Sequence, residues 1–507
     1  MADTRPGGGS GGNGGSGEDG VANSAASPPG SPPASIVPLA LCVSIAFLME
    51  TLDSTILIAA LPAIGDDFGI PPLRVNVAVT VYLVTLAVMI PASSWLADRF
   101  GARRVFLLAV LGFMVTSLGA ALSQSLAQLV VMRIAQATAG AMMTPIGRLL
   151  LIRHTPRAHL ASAIIWMSTP VQIGPVLGPL LGGWIVTYAT WPLIFLVNLP
   201  LGLIGLVFAM RILPADAPAQ SDRATPRAPF DWRGFGLIAI VLAAAQIVID
   251  QLVHPLLPVP LTLALLLAVP VAMGLYLRRP APRPPGKPAL DLSLMRLRLF
   301  RLALGWGVPA RIGINAVPFL LQLQLQLGFG WSAARAGTVV VLIAGGAIVL
   351  KPFAAMILRR AGFRRGLAGN AGIAAALTVA LALVGPDTPL PVLVALVLAF
   401  GISRSLQFNL INTLVFADVP ADRQSSSTAL AGVGQQLSMA LGISIAAVLV
   451  AQLGALGIAP GAAAISAAMV GMAAITALAG LGYALTLRGE DGAAIATPAR
   501  RPTKRSA

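Results

Sequence analysis

Two carboxylates stand where carboxylates are costly. Glu50 and Asp53 lie within one long apolar run, IVPLALCVSIAFLMETLDSTILIAALP, residues 36–62. Three positions apart, they occupy neighbouring places on one face of a helix. Counted from Ile36 at about 1.5 Å per residue, Asp53 falls roughly 25 Å along, in the outer half of a bilayer. An apolar setting favours a neutral carboxylic acid, and a second carboxylate nearby favours it further. A carboxyl that loads and releases a proton near neutral pH is what a proton-coupled carrier needs. The bland alternative is that both residues pair with arginine or cap a broken helix. Glu50 has a third option, a place beside a polar cavity with no titration in range.

Cations are placed just as unusually. Arg133, in the fourth apolar run, is the nearest in-span cation expected in the same half as the two carboxylates. It either neutralises a carboxylate in one conformation only or forms a fixed ion pair. Further on, Arg311, Lys351 and Arg404 fall in or near apolar runs, and Arg404 sits beside Gln407, Asn409 and Asn412. Polar residues recur at Gln322, Gln324, Gln326, Gln435 and Gln436. The alternation LQLQLQL cannot put every Gln on one helix face, so some line a cavity and others bond between helices. The candidate cavity set is Arg311, Gln322, Arg404, Gln407, Asn412 and Gln435.

The elements that must position these residues are transmembrane helices. The chain has 507 residues, 57% of them hydrophobic and 10% charged, with a mean hydropathy of +0.85. Soluble domains carry about 25% charge, so a water-soluble multidomain enzyme is excluded. Net charge is +16 and the sequence pI about 11.5. In a membrane chain that surplus reflects basic inner loops rather than nucleic-acid binding. The one cysteine, Cys42, and three histidines offer no metal-ligand spacing. No GxxxxGK[ST] loop and no nucleophile–base–orienter set occurs. The expectation is therefore no enzyme, no cofactor, no metal and no nucleic acid.

Fourteen apolar runs are long enough to span, and irregular backbone is not tolerated against lipid, so they should be helices. With the N-terminus inside, about 28 of the 34 Lys and Arg residues fall on the inner side. Only Arg74 and Arg335 lie outside, which places both termini in the cytoplasm. Residues 1–35, rich in Gly, Ser and Pro, form a disordered tail. Residues 36–213 form a six-helix bundle. Residues 214–291 form a two-helix insert with flanking linkers. Residues 292–487 form a second six-helix bundle, and 488–507 a basic tail.

Several motifs resemble the major facilitator superfamily, in its 14-span drug:proton antiporter branch. LADRFGARR, residues 96–104, is similar to that family's loop between spans 2 and 3. Asp98 pairs across helix ends, Arg99, Arg103 and Arg104 supply the opposite charge, and Gly101 permits the turn. The family's usual first Gly is Ser94 here, and one usual basic position is Ala102. LDSTILIAALP, residues 52–62, resembles the first-span motif, with Ile58 where Asn is usual. RIAQATAGAMMTP resembles the span-4 motif through Arg133 and Gln136, with Ala137 and Ala139 in place of two glycines. GPVLGPLLGG, residues 174–183, resembles the antiporter signature. Its Gly174, Gly178 and Gly182 form one smooth stripe, flanked by Pro175, Pro179 and Gly183.

The resemblance covers about 36–487. It implies an all-α major facilitator fold of two six-helix bundles plus two extra helices outside them, 14 transmembrane helices in all. It implies proton-driven export of small lipophilic or cationic compounds from a bacterial inner membrane, with Asp53 as the coupling residue and Glu50 as its companion. The alternative on the same scaffold is a carrier of one metabolite, such as a siderophore or amino acid. The expected partners are a small-molecule substrate, protons and the bilayer. A periplasmic adaptor and outer-membrane channel would join them in a tripartite pump.

Overall fold

In a computed structural model, the described residues are 36–156, 159–213, 229–251, 257–280, 288–455 and 462–492. The expected tail 1–35, much of both linkers and the tail beyond 492 lie outside them. Among the described residues every regular element is helical. The first group comprises α1 (Ile36–Phe68), the short α2 (Pro72–Val75), α3 (Val77–Phe100), α4 (Ala102–Ala121), α5 (Leu126–Arg153), α6 (Leu160–Tyr188), the short α7 (Leu193–Leu196) and α8 (Asn198–Ile212). Then come α9 (Trp232–Gln251) and α10 (Val259–Arg278). The last group is α11 (Arg298–Leu323), α12 (Ala333–Val340), α13 (Leu342–Ala382), α14 (Leu390–Leu414), α15 (Gln424–Ala455) and α16 (Ala462–Thr486). Twelve helical stretches among the described residues are long and apolar enough to cross a membrane. Two more expected spans are helical as well: α6, and residues 342–361 ahead of a turn at Gly362.

Local chemistry sets the helix ends. Ser125 accepts from the Gln128 N–H, while the Gln128 side chain accepts from the Gln124 N–H, which satisfies two donors at the start of α5. Asp418 caps α11 from a distant loop, accepting from the N–H groups of Leu299 and Phe300.

The two long groups repeat one device, of which the motifs above include only the first copy. GARR (101–104) and GFRR (362–365) each open on a glycine of positive φ, 92° at Gly101 and 65° at Gly362. The third residue of each then reaches the last helix of its own group. Arg103 donates to the Met210 carbonyl in α8, and Arg364 donates to the Ala484 carbonyl in α16.

The pair α9–α10 packs beside α3, where Thr80 donates to Asp250 at 2.9 Å. The membrane-length window of α10 is only 11% buried, so α10 is peripheral. A clasp joins the two helices. Arg279 grips Asp231 with two hydrogen bonds of 2.6 and 2.5 Å, and the Ala289 N–H adds a third. Gly234 leaves room for it, since a Cβ there would collide with Arg279 and Asp231. Burial pushes the Asp231 carboxyl up, but the Arg279 hydrogen bonds and the Gly234 and Ala289 N–H groups hold it below the usual carboxylate value. A depressed folded value stabilises above the unfolded value and is lost as pH falls through the folded one. Asp231→Asn is therefore expected to cost about 1–3 kcal/mol near pH 7. Thermal unfolding in detergent at pH 7 and pH 3 checks this. The gap between variant and wild type should narrow at the acid end.

Candidate functional site

The first group of helices converges on Asp53, which has no solvent exposure. Arg133 of α5 donates to its Oδ2 at 2.5 Å. Gln136, one turn on, and Asn198, the first residue of α8, donate to its Oδ1 at 3.0 and 2.8 Å. Both amides also donate to the Ser117 hydroxyl of α4. Arg133 donates in addition to the Gln136 Oε1 at 2.6 Å. A guanidinium has only donors, so the Gln136 oxygen must face Arg133 and its nitrogen must face Asp53. The Arg133 guanidinium lies 4.0 Å from the Tyr82 ring centroid on α3. Five helices thus hold one carboxylate.

Ser117 is near the end of α4, while Arg133 and Asn198 are near the starts of α5 and α8. The cluster therefore sits toward the bundle end that carries the α4–α5 loop. Of this cluster, sequence reasoning names Asp53, Arg133 and Gln136. It misses Tyr82 and Ser117. Asn198 carries a signal that could have found it, as the one polar residue of the run FLVNLPLG.

Glu50 shares a helix with Asp53 but not its surroundings. It accepts from the Thr144 hydroxyl of α5. With Thr144, Pro145, Gly432, Gln435 and Gln436 it lines a cavity of about 20 Å³ between α5 and α15, room for a single water. One turn beyond Thr144, Arg148 is buried and donates to the Gln435 Oε1 at 3.0 Å. This bond ties the first helix group to the last. Sequence reasoning misses Arg148 as an in-span cation, because it falls near the end of its apolar run.

The loop motif sits at the other end of the bundle. Asp98 accepts from Arg153 of α5 at 3.1 Å and from Ser425 of α15 at 2.9 Å. Arg99 stacks on Trp95, with 5.9 Å to the ring centroid. Arg104 is exposed. Close by, Arg153, Thr155, Leu160, Phe416 and Gln424 line a cleft of about 410 Å³.

The glycine stripe of α6 lies on α1. A Cβ at Gly174 would collide with Thr51 and one at Gly178 with Thr55, while one at Gly182 would stand 2.6 Å from the Ile56 carbonyl. Gly183 faces open space. Pro175 and Pro179 lie within the helical run of α6. Across the groups, Lys351 of α13 stands 3.4 Å above the Trp166 ring centroid of α6.

In the last group Arg311 donates to the Asn412 Oδ1 at 2.8 Å, and Arg404 to the Asn315 Oδ1 at 3.3 Å. Gln407 is not part of that pairing, because its Oε1 accepts from Asn370. Gln322 is only half-buried. Gln324 is buried and donates to the Val384 carbonyl at 3.1 Å, so it closes a helix end rather than facing a cavity.

A polytopic helical bundle with a buried ion pair in one half and breakable polar ties between halves is the anatomy of a membrane transporter. The sequence profile of the Major Facilitator Superfamily matches residues 43–443 and again 307–505. The chain belongs to that superfamily. It is 34% identical over 416 residues to a protein of Citrobacter koseri called "Putative multidrug resistance protein MdtD", covering 81% of this chain and 86% of that one. It is 36% identical over 415 residues to the protein of the same name from Cronobacter sakazakii, with the same coverage. Among solved structures, the human organic anion transporter MFSD10 (TETRAN) superposes with a TM-score of 0.62. That match covers 89% of this chain and 100% of the other at 15% identity, and so speaks to fold alone.

Proposed function

We propose that this chain is a proton-coupled multidrug efflux transporter, exporting small lipophilic or cationic compounds from a bacterial cell across its inner membrane. Both termini are cytoplasmic in this reading. The observation that carries it is the fully buried Asp53 carboxylate, held by Arg133, Gln136 and Asn198. A charge so placed is functional by default, and protonation would cancel its attraction to Arg133. The names of the relatives support drug export as the direction of use.

The working cycle follows from the contacts. Loading a proton on Asp53 loosens the α1–α5 tie and alters how the first helix group packs. The groups then rock against each other, breaking the Asp98–Ser425 and Arg148–Gln435 bonds on one side of the cycle. Glu50, at the cavity between the groups, is the acidic group best placed to meet a cationic cargo. The α6 stripe keeps α1 close enough to transmit the motion.

The test is substrate-evoked proton movement. Protein reconstituted in liposomes with an internal pH-sensitive dye receives a proton gradient and then a panel of lipophilic cations and neutral drugs. Substrate-dependent collapse of the gradient is the expected result. No response to any compound, in protein shown to be folded, rejects the reading in favour of the single-metabolite carrier.

A further inference from the structure

Buried charge in this molecule is unevenly compensated. Helices α11 to α16 contain no Asp or Glu. Two of their arginines are nevertheless buried, Arg311 at 1% and Arg404 at 7% exposure. The carboxylates inside the first group are engaged elsewhere, Asp53 by Arg133 and Glu50 by Thr144. A desolvated guanidinium facing only neutral groups is costly, and such charge persists in membranes where function requires it.

The two arginines form a ladder. Arg311 on α11 meets Asn412 on α14, and Asn315, one turn along α11, meets Arg404, about two turns back along α14. Each helix contributes one arginine and one asparagine. Because a guanidinium can only donate, each asparagine must turn its oxygen toward the arginine and its NH₂ away. The result is a surplus of donors. Nε of Arg311, Nε of Arg404, Nδ2 of Asn315 and Nδ2 of Asn412 are all buried without a hydrogen-bond partner among the described residues. Arg148, whose own Nε is likewise unpartnered, is within electrostatic reach of Arg311 on one side and of Glu50 on the other. A set made of guanidinium forks and amide donors, with positive charge and no acid, is complementary to a carboxylate.

We propose that Arg311 and Arg404, with the amides of Asn412 and Asn315, bind the carboxylate of a lipophilic organic anion carried as cargo. The cargo class then extends from lipophilic cations to lipophilic carboxylates. This rests on the export reading and deepens it, by giving the second helix group a substrate-binding role.

The test uses the purified full chain in uncharged detergent. Carboxyfluorescein is the anionic probe and ethidium the cationic one, both read by fluorescence anisotropy. Arg311→Gln and Arg404→Gln are each expected to weaken carboxyfluorescein roughly tenfold or more, while ethidium changes less than about twofold. Arg311→Lys, which keeps charge but loses the fork, should recover part of the loss. A second arm needs no variant. 1-Naphthoate should displace carboxyfluorescein from the wild type, and its methyl ester at the same concentration should not. Equal displacement by the ester, or variants that bind carboxyfluorescein as the wild type does, would overturn the proposal. So would a wild type that exports ethidium from liposomes yet binds no carboxyfluorescein, and that outcome leaves the export reading intact. A wild type that moves neither probe removes both.

Discussion

Asp53→Asn is expected to abolish substrate-evoked proton flux, lowering it on the order of 100-fold or more, the scale on which a positioned proton-transfer group acts. The change is nearly isosteric, so the five-helix cluster keeps its shape. What it loses is charge and one of the two acceptor oxygens that Arg133, Gln136 and Asn198 use. Arg133 would remain buried against an amide, and breaking one side of a buried pair costs about 3–5 kcal/mol. Loss of flux and loss of stability therefore coincide in the single variant, and a second substitution separates them. Arg133→Gln in the same chain removes the stranded cation and should restore much of the melting temperature. Flux should stay absent, because no titrating group has been returned. Flux that survives in Asp53→Asn would move coupling to another residue, with Glu50 tested next. Flux restored by the double substitution would reduce Asp53 to a structural partner of Arg133.

The second large effect concerns α6 against α1. At Gly178 a Cβ would collide with the Thr55 hydroxyl and lie 2.8 Å from the Thr55 Cβ and 3.0 Å from the Ile56 backbone nitrogen. Gly178→Val is expected to cost about 3 kcal/mol or more, because overpacking here forces one helix axis away from the other. Transport should fall with it, since α1 carries Glu50 and Asp53. Gly183 belongs to the same run but faces nothing within 4 Å. Gly183→Ala should leave stability within about 0.5 kcal/mol of wild type. Melting temperatures of both variants in detergent, with proton flux in liposomes, test the pair. Equal tolerance at both positions would mean that the stripe does not set the α1–α6 distance.

Much of this architecture is legible in the amino-acid sequence. The spans follow from hydropathy, because a bilayer allows few ways to hide backbone polar groups. Asp53 and Arg133 stand out because charge is rare and costly in such runs. The α6 stripe is visible in the four-residue spacing of its glycines. Its partner emerges only in the fold, where α1 presents Thr51, Thr55 and Ile56 to it.

Other features are illegible for definite reasons. Ser117 and Tyr82 are common residue types at unremarkable positions, and only packing makes them partners of Asp53 and Arg133. Helical spacing places Glu50 and Asp53 together, yet their neighbours separate them, one toward the cavity with Gln435 and one into the first helix group. Gln322, Gln407 and Gln435 look equivalent as cavity candidates. In the fold, Gln407 goes to Asn370 and Gln435 to Arg148.

Sequence alone determined that this chain spans a membrane many times, carries its costly charges in few places and packs a glycine face in its fifth span. Each of these is a property of one helix and its solvent. Tertiary structure decided which charges are compensated. Asp53 meets Arg133 across 80 positions of chain, and Arg311 meets Asn412 across 101. No local periodicity encodes such distances, because they arise from how several helices close around one another.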